Sequence, residues 1–201
     1  MGCTAGSSHF DVVENEDAME DEDEPASIYV ATTSHGRYLQ ILIDANADVD
    51  AKDNENRTAL FWLAHNRHID GLSILINARA DIDAENERGC TPLTRAADKG
   101  HVECVKLLVA AGAHIDHKDV DHMTPLMSAA SCGYTECVQL LIDLKADVSF
   151  DANTMFDALS AAATEGHADC VELLVKANAN MEASYGLRTR RSDGRCSHRS
   201  H

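Results

Sequence analysis

Side chains that could do chemistry are plentiful in this chain, but their spacing assembles no reaction centre. The 201 residues include seven cysteines and eleven histidines. One segment matches four places of a calcium-binding loop, at Asp44, Asn46, Asp48 and Glu55. Its sixth place holds Val49, whereas the sharp turn of such a loop needs glycine. Phosphate-binding glycine loops and nucleophile or zinc-protease motifs are absent from the sequence, so we expect no enzyme, no metal and no cofactor.

The residue types recur because the sequence has a period of 33 residues. Thr91-Pro92-Leu93 is followed one period later by Thr124-Pro125-Leu126 and is preceded by Thr58-Ala59-Leu60. Glycines, leucine pairs and cysteines repeat with the same spacing. A fixed period of this length is typical of stacked supersecondary units, none of which can bury its apolar face alone.

Each period predicts two helices. In the best-matched copy Thr91 caps a first helix that opens at Pro92, because proline is favoured in the first turn. Gly100 ends this helix, and a second helix is predicted from about Val102 to Ala111. Gly112 then closes the second helix before the chain turns into the next copy.

The repeat resembles the ankyrin repeat, a β-turn followed by two helices. The resemblance implies an all-α repeat solenoid, in which helix-turn-helix units alternate with β-turn or hairpin fingers. It covers residues 25–183 in five copies, at 25–51, 52–84, 85–117, 118–150 and 151–183. The acidic segment 1–24 and the basic segment 184–201 are expected to be disordered tails.

The periodic cysteines and histidines are expected to serve the fold. Cys104, Cys137 and Cys170 recur on successive second helices, which stack about 8–10 Å apart, whereas a disulfide needs Cα atoms within about 7 Å. We therefore predict buried free thiols in a reducing compartment. The histidines of the period are expected to organise the turn between helices, since residues one repeat apart cannot share a metal; they are His35, His68, His101 and His167.

The resemblance to ankyrin-repeat proteins implies a protein partner, bound by the finger tips and the inner face of the first helices. The matching residues are Asn54, Glu55, Arg57, His65 and Asn66 in the second copy; Glu87, Arg88, Cys90, Asp98 and Lys99 in the third; Val120, Asp121, Met123, Ser131 and Cys132 in the fourth; and Asn153, Thr154, Phe156, Thr164 and Glu165 in the fifth.

An apolar patch is expected in the later half of this surface, at Val120, Met123, Cys132 and Phe156. Methionine and aromatic residues are enriched at the centres of protein interfaces, so the patch is a candidate partner site. The alternative is that Met123 and Phe156 fold back over the neighbouring turn.

Trp62 is a second candidate anchor. It stands in a column that holds Arg95, Ser128 and Ala161 in later copies, which suggests that the position reaches solvent. An exposed tryptophan would be a natural hot spot. The alternative is packing of Trp62 against the degenerate first copy, where Ile28 and Tyr29 lie in the matching region.

Charge is distributed unevenly along the chain. The net charge is -17, of which residues 11–24 contribute -9, residues 184–201 contribute +4 and the repeats the remaining -12. Such a surface repels nucleic acid and anionic lipid, so neither is an expected ligand of the solenoid. The acidic run is interpreted as a solvated spacer; alternatively, it associates with the basic tail, or either tail docks a charged partner.

The start of the chain, Met1-Gly2-Cys3, resembles that of dually acylated proteins, in which the glycine takes myristate and the cysteine palmitate. Gly6 replaces the usual serine or threonine of the myristoylation motif, and an unmodified N-terminus is the alternative. Stable anchoring takes two signals, so acylation would have to include Cys3 as well as Gly2.

The expected function is that of a non-enzymatic adaptor or scaffold, monomeric on its own, that binds protein partners of unknown identity with its concave surface. It is expected in the cytoplasm, held on the cytoplasmic face of a membrane if Gly2 and Cys3 are acylated. The alternative is a soluble cytosolic inhibitor or regulatory subunit that occludes a partner protein. No signal peptide and no membrane span are expected.

Overall fold

The computed structural model describes residues 25–32, 36–148 and 157–184. Ten α-helices occur in these ranges, and the regular secondary structure there is otherwise limited to one isolated antiparallel bridge. The helices are α1 (Ala26–Thr32), α2 (Gly36–Asp44), α3 (Ala59–His65), α4 (Ile69–Asn77), α5 (Pro92–Asp98), α6 (Val102–Ala110), α7 (Pro125–Ser131), α8 (Thr135–Asp143), α9 (Ala158–Glu165) and α10 (Ala168–Ser184). The predicted all-α repeat solenoid is confirmed.

The helices form two layers with the core between them. Each odd-numbered helix packs on the helix that follows it and on the next odd-numbered helix, while the even-numbered helices stack in the second layer. The core repeats with the sequence, since Leu60, Leu93 and Leu126 are fully buried in the first layer. Leu75, Leu108 and Leu141 are buried at equivalent places in the second layer. Stacking of neighbours therefore supplies the burial that a single pair lacks.

The helix boundaries follow from capping residues. The Thr91 hydroxyl oxygen accepts a hydrogen bond from the Thr94 backbone N–H at 3.3 Å, as predicted for an N-cap. In the last pair Asp157 takes this role, and Ser160 bonds back to the Asp157 backbone to complete a capping box. The end of α6 differs slightly from the expectation, because Ala111 is the cap and not part of the helix.

A column of Asp and Asn side chains shapes the fingers between helix pairs. The Asp119 carboxylate accepts the backbone N–H groups of Asp121 and Met123, both at 2.9 Å. Asp53 and Asn86 make the same pair of bonds in their own fingers. Neighbouring fingers are also tied by backbone bonds, such as that from the Val120 N–H to the Arg88 carbonyl at 3.1 Å. These hydrogen bonds therefore hold the fingers rigidly, and the fingers position the side chains at their tips.

The three periodic cysteines are fully buried free thiols, as predicted. Burial raises the pKa of Cys104 and Cys137 to about 11, which keeps these thiols protonated. The periodic histidines were expected to organise a turn, and two of them also contact the preceding repeat. The rings of His101 and His167 lie 2.9 Å from the carbonyl oxygens of His65 and Ser131, which end the first helices of the preceding pairs. These contacts join one repeat to the next.

Several predictions concern residues outside the described ranges. They include the two tails with Gly2 and Cys3, the histidine His35, and the binding candidates Asn153, Thr154 and Phe156. Within the ranges that are described, none of the helices has both the length and the apolar character needed to cross a bilayer. The same residues contain no group of three His, Cys, Asp or Glu side chains placed to hold a metal ion.

Candidate functional site

A groove of about 190 Å³ lies between α5 and α7 and the fingers that precede them. We call it the α5–α7 groove. Its lining residues are Arg88, Cys90, Thr94, Arg95, Asp98, Asp119, Asp121, Met123, Ser128, Ser131 and Cys132. Seven of these residues were singled out from the sequence as binding candidates, so the structure brings much of the predicted surface together at one place.

Two ion pairs cross or line the groove. The Arg88 guanidinium reaches from its finger to the Asp121 carboxylate of the next one, at 3.0 Å, with 73% and 60% of the two side chains exposed. On α5, Arg95 and Asp98 pair at 3.1 Å. An exposed pair such as Arg88–Asp121 contributes at most about 1 kcal/mol, so it can be broken at little cost, whereas Arg95 and Asp98 are only partly exposed.

The two thiols of the groove donate hydrogen bonds to carboxylates. The Cys90 Sγ lies 3.5 Å from Asp119 Oδ2, and the Cys132 Sγ lies 3.6 Å from Asp98 Oδ1. Burial and the Asp119 charge raise the pKa of Cys90 to about 11, and burial with the nearby Asp98 charge raises that of Cys132. Because the thiolate is the nucleophile, the raised pKa values make both thiols weak nucleophiles near pH 7.

The predicted apolar patch is only partly assembled. Met123 and Cys132 line the groove, whereas Val120 stands at a finger tip with 62% of its surface exposed and is not among the lining residues. Met123 is half-buried and also packs against the core, and Phe156 lies outside the described residues. The groove therefore mixes sulfur-containing side chains with charged groups of both signs and is not simply apolar.

Trp62 is half-buried and contacts polar side chains of its own finger. Its indole Nε1 donates to Asp53 Oδ2 at 3.1 Å, and the Arg57 guanidinium carbon lies 4.4 Å from its ring centroid. Arg57 and Asp53 form an ion pair at 2.7 Å. Burial by itself raises the pKa of Asp53, but the hydrogen bonds from Arg57 and Trp62 outweigh it and lower the pKa. Trp62 is thus half-buried against its own finger.

A second polar group lies where α3 and α5 end. We call it the α3–α5 cluster, consisting of His65, Asn66, Arg95 and Lys99. Burial, together with the positive charges of Arg95 and Lys99, lowers the pKa of His65 to about 4. The His65 ring is therefore neutral near pH 7, while Lys99 is exposed to solvent.

The remaining predicted residues lie apart from the groove lining. Asn54, Glu55 and Glu87 are exposed at finger tips, where the Glu87 N–H donates to the Glu55 carbonyl at 3.0 Å. Glu165 and Thr164 are exposed at the end of α9.

The binding candidates predicted from the sequence do not include three residues that shape the fingers and the groove, namely Asp53, Asp119 and Arg95. A signal for the first two existed, because Asp53, Asn86 and Asp119 are one period apart and short Asx side chains are typical of turns. Arg95 stands one period after Trp62, in the same column of the repeat. That column was expected to reach solvent, but Ser128 and Ala161 within it are buried, so the expectation was wrong for the later repeats.

Paired helices, stacked fingers and an open groove of mixed polarity define a helical-repeat protein with a binding surface. A family model described as ankyrin repeats (3 copies) matches residues 28–119 and 114–185. The chain therefore belongs to the ankyrin-repeat family. A search of curated proteins finds no match. Ankyrin repeats are commonly protein-interaction modules and are typically non-enzymatic.

Proposed function

We propose that this protein is a non-enzymatic adaptor that binds a protein partner in the α5–α7 groove. The observation that carries the proposal is the convergence of seven binding candidates from two fingers and two helices on one open groove. Its thiols are protonated and its charged side chains are held by pairs that a partner can replace. Both properties favour recognition over catalysis.

The groove chemistry indicates the kind of partner segment that would fit. Met123 and Cys132 offer a small contact for one apolar side chain. Arg88 on one finger and Asp121 on the next present charges of both signs around it. A segment with an apolar anchor flanked by charged residues satisfies these groups, and its apolar anchor would supply most of the affinity.

A site-specific crosslink tests this proposal. A photoreactive amino acid at Cys132, in the groove, is compared in cells with the same amino acid at Gln139, which is exposed on α8 in the other helix layer. A discrete protein that crosslinks from Cys132 and not from Gln139 is expected. Equal labelling from both positions, or none from Cys132, would place the partner site elsewhere.

The proposal extends to the cellular setting. Dual acylation of Gly2 and Cys3 would hold the adaptor on the cytoplasmic face of a membrane, since one acyl chain gives only marginal binding. Intact mass and membrane partition of the wild type are compared with those of Gly2→Ala and Cys3→Ser. Membrane-bound wild type with soluble variants supports the tethered adaptor. Unmodified, soluble wild type favours the alternative, a soluble cytosolic regulatory subunit that occludes its partner.

The repeat domain at residues 25–183, with tails at 1–24 and 184–201, is proposed to act as a monomer. Sedimentation equilibrium of the full chain is expected to give the mass of one chain. Limited proteolysis is expected to remove the tails and leave the repeats, because backbone that is packed and hydrogen-bonded resists cleavage. Rapid cleavage between α3 and α8 would contradict this division.

A further inference from the structure

Three buried nitrogen atoms stand out because they have no hydrogen-bond partner. They are Nδ1 of His65, Nδ2 of Asn66 and Nε of Arg95. Throughout the described part of the chain, no other buried side-chain nitrogen or oxygen lacks a partner. Unpaired buried polar groups are costly and therefore rare, and each of these nitrogen atoms could take up a hydrogen bond that a ligand supplies.

The three atoms come from neighbouring helices. His65 is the last residue of α3, Asn66 is its C-cap, and Arg95 lies in the last turn of α5. The guanidinium carbon of Arg95 lies 5.1 Å from the ring centroid of Phe61, so this side chain extends from α5 to contact α3. The ring of His101, 2.9 Å from the His65 carbonyl, fixes the end of α3 against the next repeat.

The charges of the α3–α5 cluster favour an anion. Arg95 and Lys99 both act on His65 with positive charge, and Asp98 opposes them, which leaves one net positive charge. This local positive charge contrasts with the negative charge of the repeat domain as a whole.

The polarity of the two helices favours a carboxylate over a phosphate group as the bound anion. α3 and α5 both end here, at Asn66 and Lys99, and helix C-termini carry partial negative charge. These partial charges oppose every anion, but they oppose a doubly charged phosphate more strongly than a singly charged carboxylate. A singly charged carboxylate, with two acceptor oxygens for the nitrogen donors, matches the cluster better.

We propose that the α3–α5 cluster binds the carboxylate of an aspartate or glutamate side chain of the protein partner. The inference rests on the proposed function, because it names a second contact on the same surface, next to the α5–α7 groove. The exposed Lys99 ammonium meets the carboxylate first. The Asn66 amide and Arg95 Nε are covered in the free protein and turn toward the carboxylate oxygens, which accept their hydrogen bonds.

Two peptide probes test the carboxylate directly with the full chain. Acetyl-tetraglutamate amide and its matched neutral control, acetyl-tetraglutamine amide, are titrated while NMR follows the Asn66 side-chain amide and the His65 ring. Saturable shifts at both residues with the glutamate peptide alone are expected. No shift at millimolar glutamate peptide, or equal shifts with the glutamine peptide, overturns the proposal. Inorganic phosphate that competes better than the glutamate peptide at equal ionic strength also overturns it.

Charge-matched variants separate a specific site from general attraction. The double variant Arg95→Gln with Lys99→Gln is expected to weaken glutamate-peptide binding by about tenfold, because it removes two charge-assisted contacts. Lys99→Gln alone is expected to weaken binding less, and it changes only an exposed side chain. Lys106→Gln removes one exposed positive charge from α6, in the other helix layer, and is expected to change nothing. An equal loss from Lys106→Gln would overturn the proposal.

The two readouts can be told apart, although Arg95 belongs both to the α3–α5 cluster and to the lining of the α5–α7 groove. Glutamate-peptide binding reports the cluster, while the crosslink from Cys132 reports the groove. Binding without the crosslink would refute the groove alone, and the crosslink without binding would refute the cluster alone.

Discussion

Replacement of Gly100 by alanine is expected to destabilise the solenoid more than the same replacement at Gly166. The two glycines occupy equivalent places two periods apart, each where a first helix ends, and both have left-handed backbone, with φ of 69° and 81°. An alanine at either position therefore meets the same backbone strain. The two sites differ in what a new methyl group would touch.

The magnitude can be worked from that difference. Left-handed backbone costs a residue other than glycine about 1–2 kcal/mol, which applies at both sites. At Gly100 the added Cβ would lie 2.5 Å from Cδ1 and 2.7 Å from Cγ of Tyr134, in the next repeat. Overpacking of this kind costs about 1–3 kcal/mol, toward the lower end here because the Tyr134 ring is partly exposed and can shift. At Gly166 nothing lies within 4 Å. We expect a loss of about 2–4 kcal/mol for Gly100→Ala and about 1–2 kcal/mol for Gly166→Ala.

Urea unfolding followed by helical circular dichroism measures both losses. A double-mutant cycle with Tyr134→Ala isolates the clash, because removal of the ring should restore about 1–2 kcal/mol to Gly100→Ala. The same ring removal should restore nothing to Gly166→Ala. Equal losses at Gly100 and Gly166, with no coupling to Tyr134, would refute the packing of α5 and α6 against the next repeat.

Three further predictions concern single residues. Arg67 has a φ of 60° where later repeats have glycine, so Arg67→Gly should stabilise the protein by up to about 1 kcal/mol in a thermal melt, and a lower Tm would contradict this. Thr91→Val removes the acceptor for the Thr94 N–H and should cost about 1–2 kcal/mol in urea unfolding, and a neutral result would show that this cap is dispensable. The pKa of His65 should be about 4 by NMR, against 6.5 unfolded, so the unfolded chain binds more protons between these values. Stability should therefore fall as pH decreases from 6.5 to 4, more steeply in wild type than in His65→Gln, and equal slopes would contradict it.

The fold was predictable because the period is visible in residues whose physical roles are local. Thr91, Pro92 and Gly100 mark the helix boundaries through capping, fixed φ and left-handed backbone, which depend on few neighbours. The buried state of Cys104 followed from its place on a second helix. These inferences required no knowledge of how one repeat sits on another.

The site was less predictable because its chemistry depends on contacts between repeats. The sequence placed Cys132 and Asp98 in the binding surface but could not show that the thiol donates to that carboxylate one repeat away. It also gave no sign that Trp62 would be held by Asp53 and Arg57 of its own finger. Whether Arg95 Nε finds a hydrogen-bond partner depends on side-chain packing, which the 33-residue period does not reveal.

The central claim, that the α5–α7 groove binds the partner, is tested most directly by isothermal titration calorimetry with the protein crosslinked from Cys132. Met123→Glu adds one negative charge inside the groove, and Val175→Glu adds the same charge on α10, where half of the valine surface is exposed. Both variants are first checked for unchanged helical circular dichroism. A loss of about tenfold or more in affinity for Met123→Glu, with no change for Val175→Glu, is the predicted result. Unchanged affinity in a folded Met123→Glu variant would contradict the account.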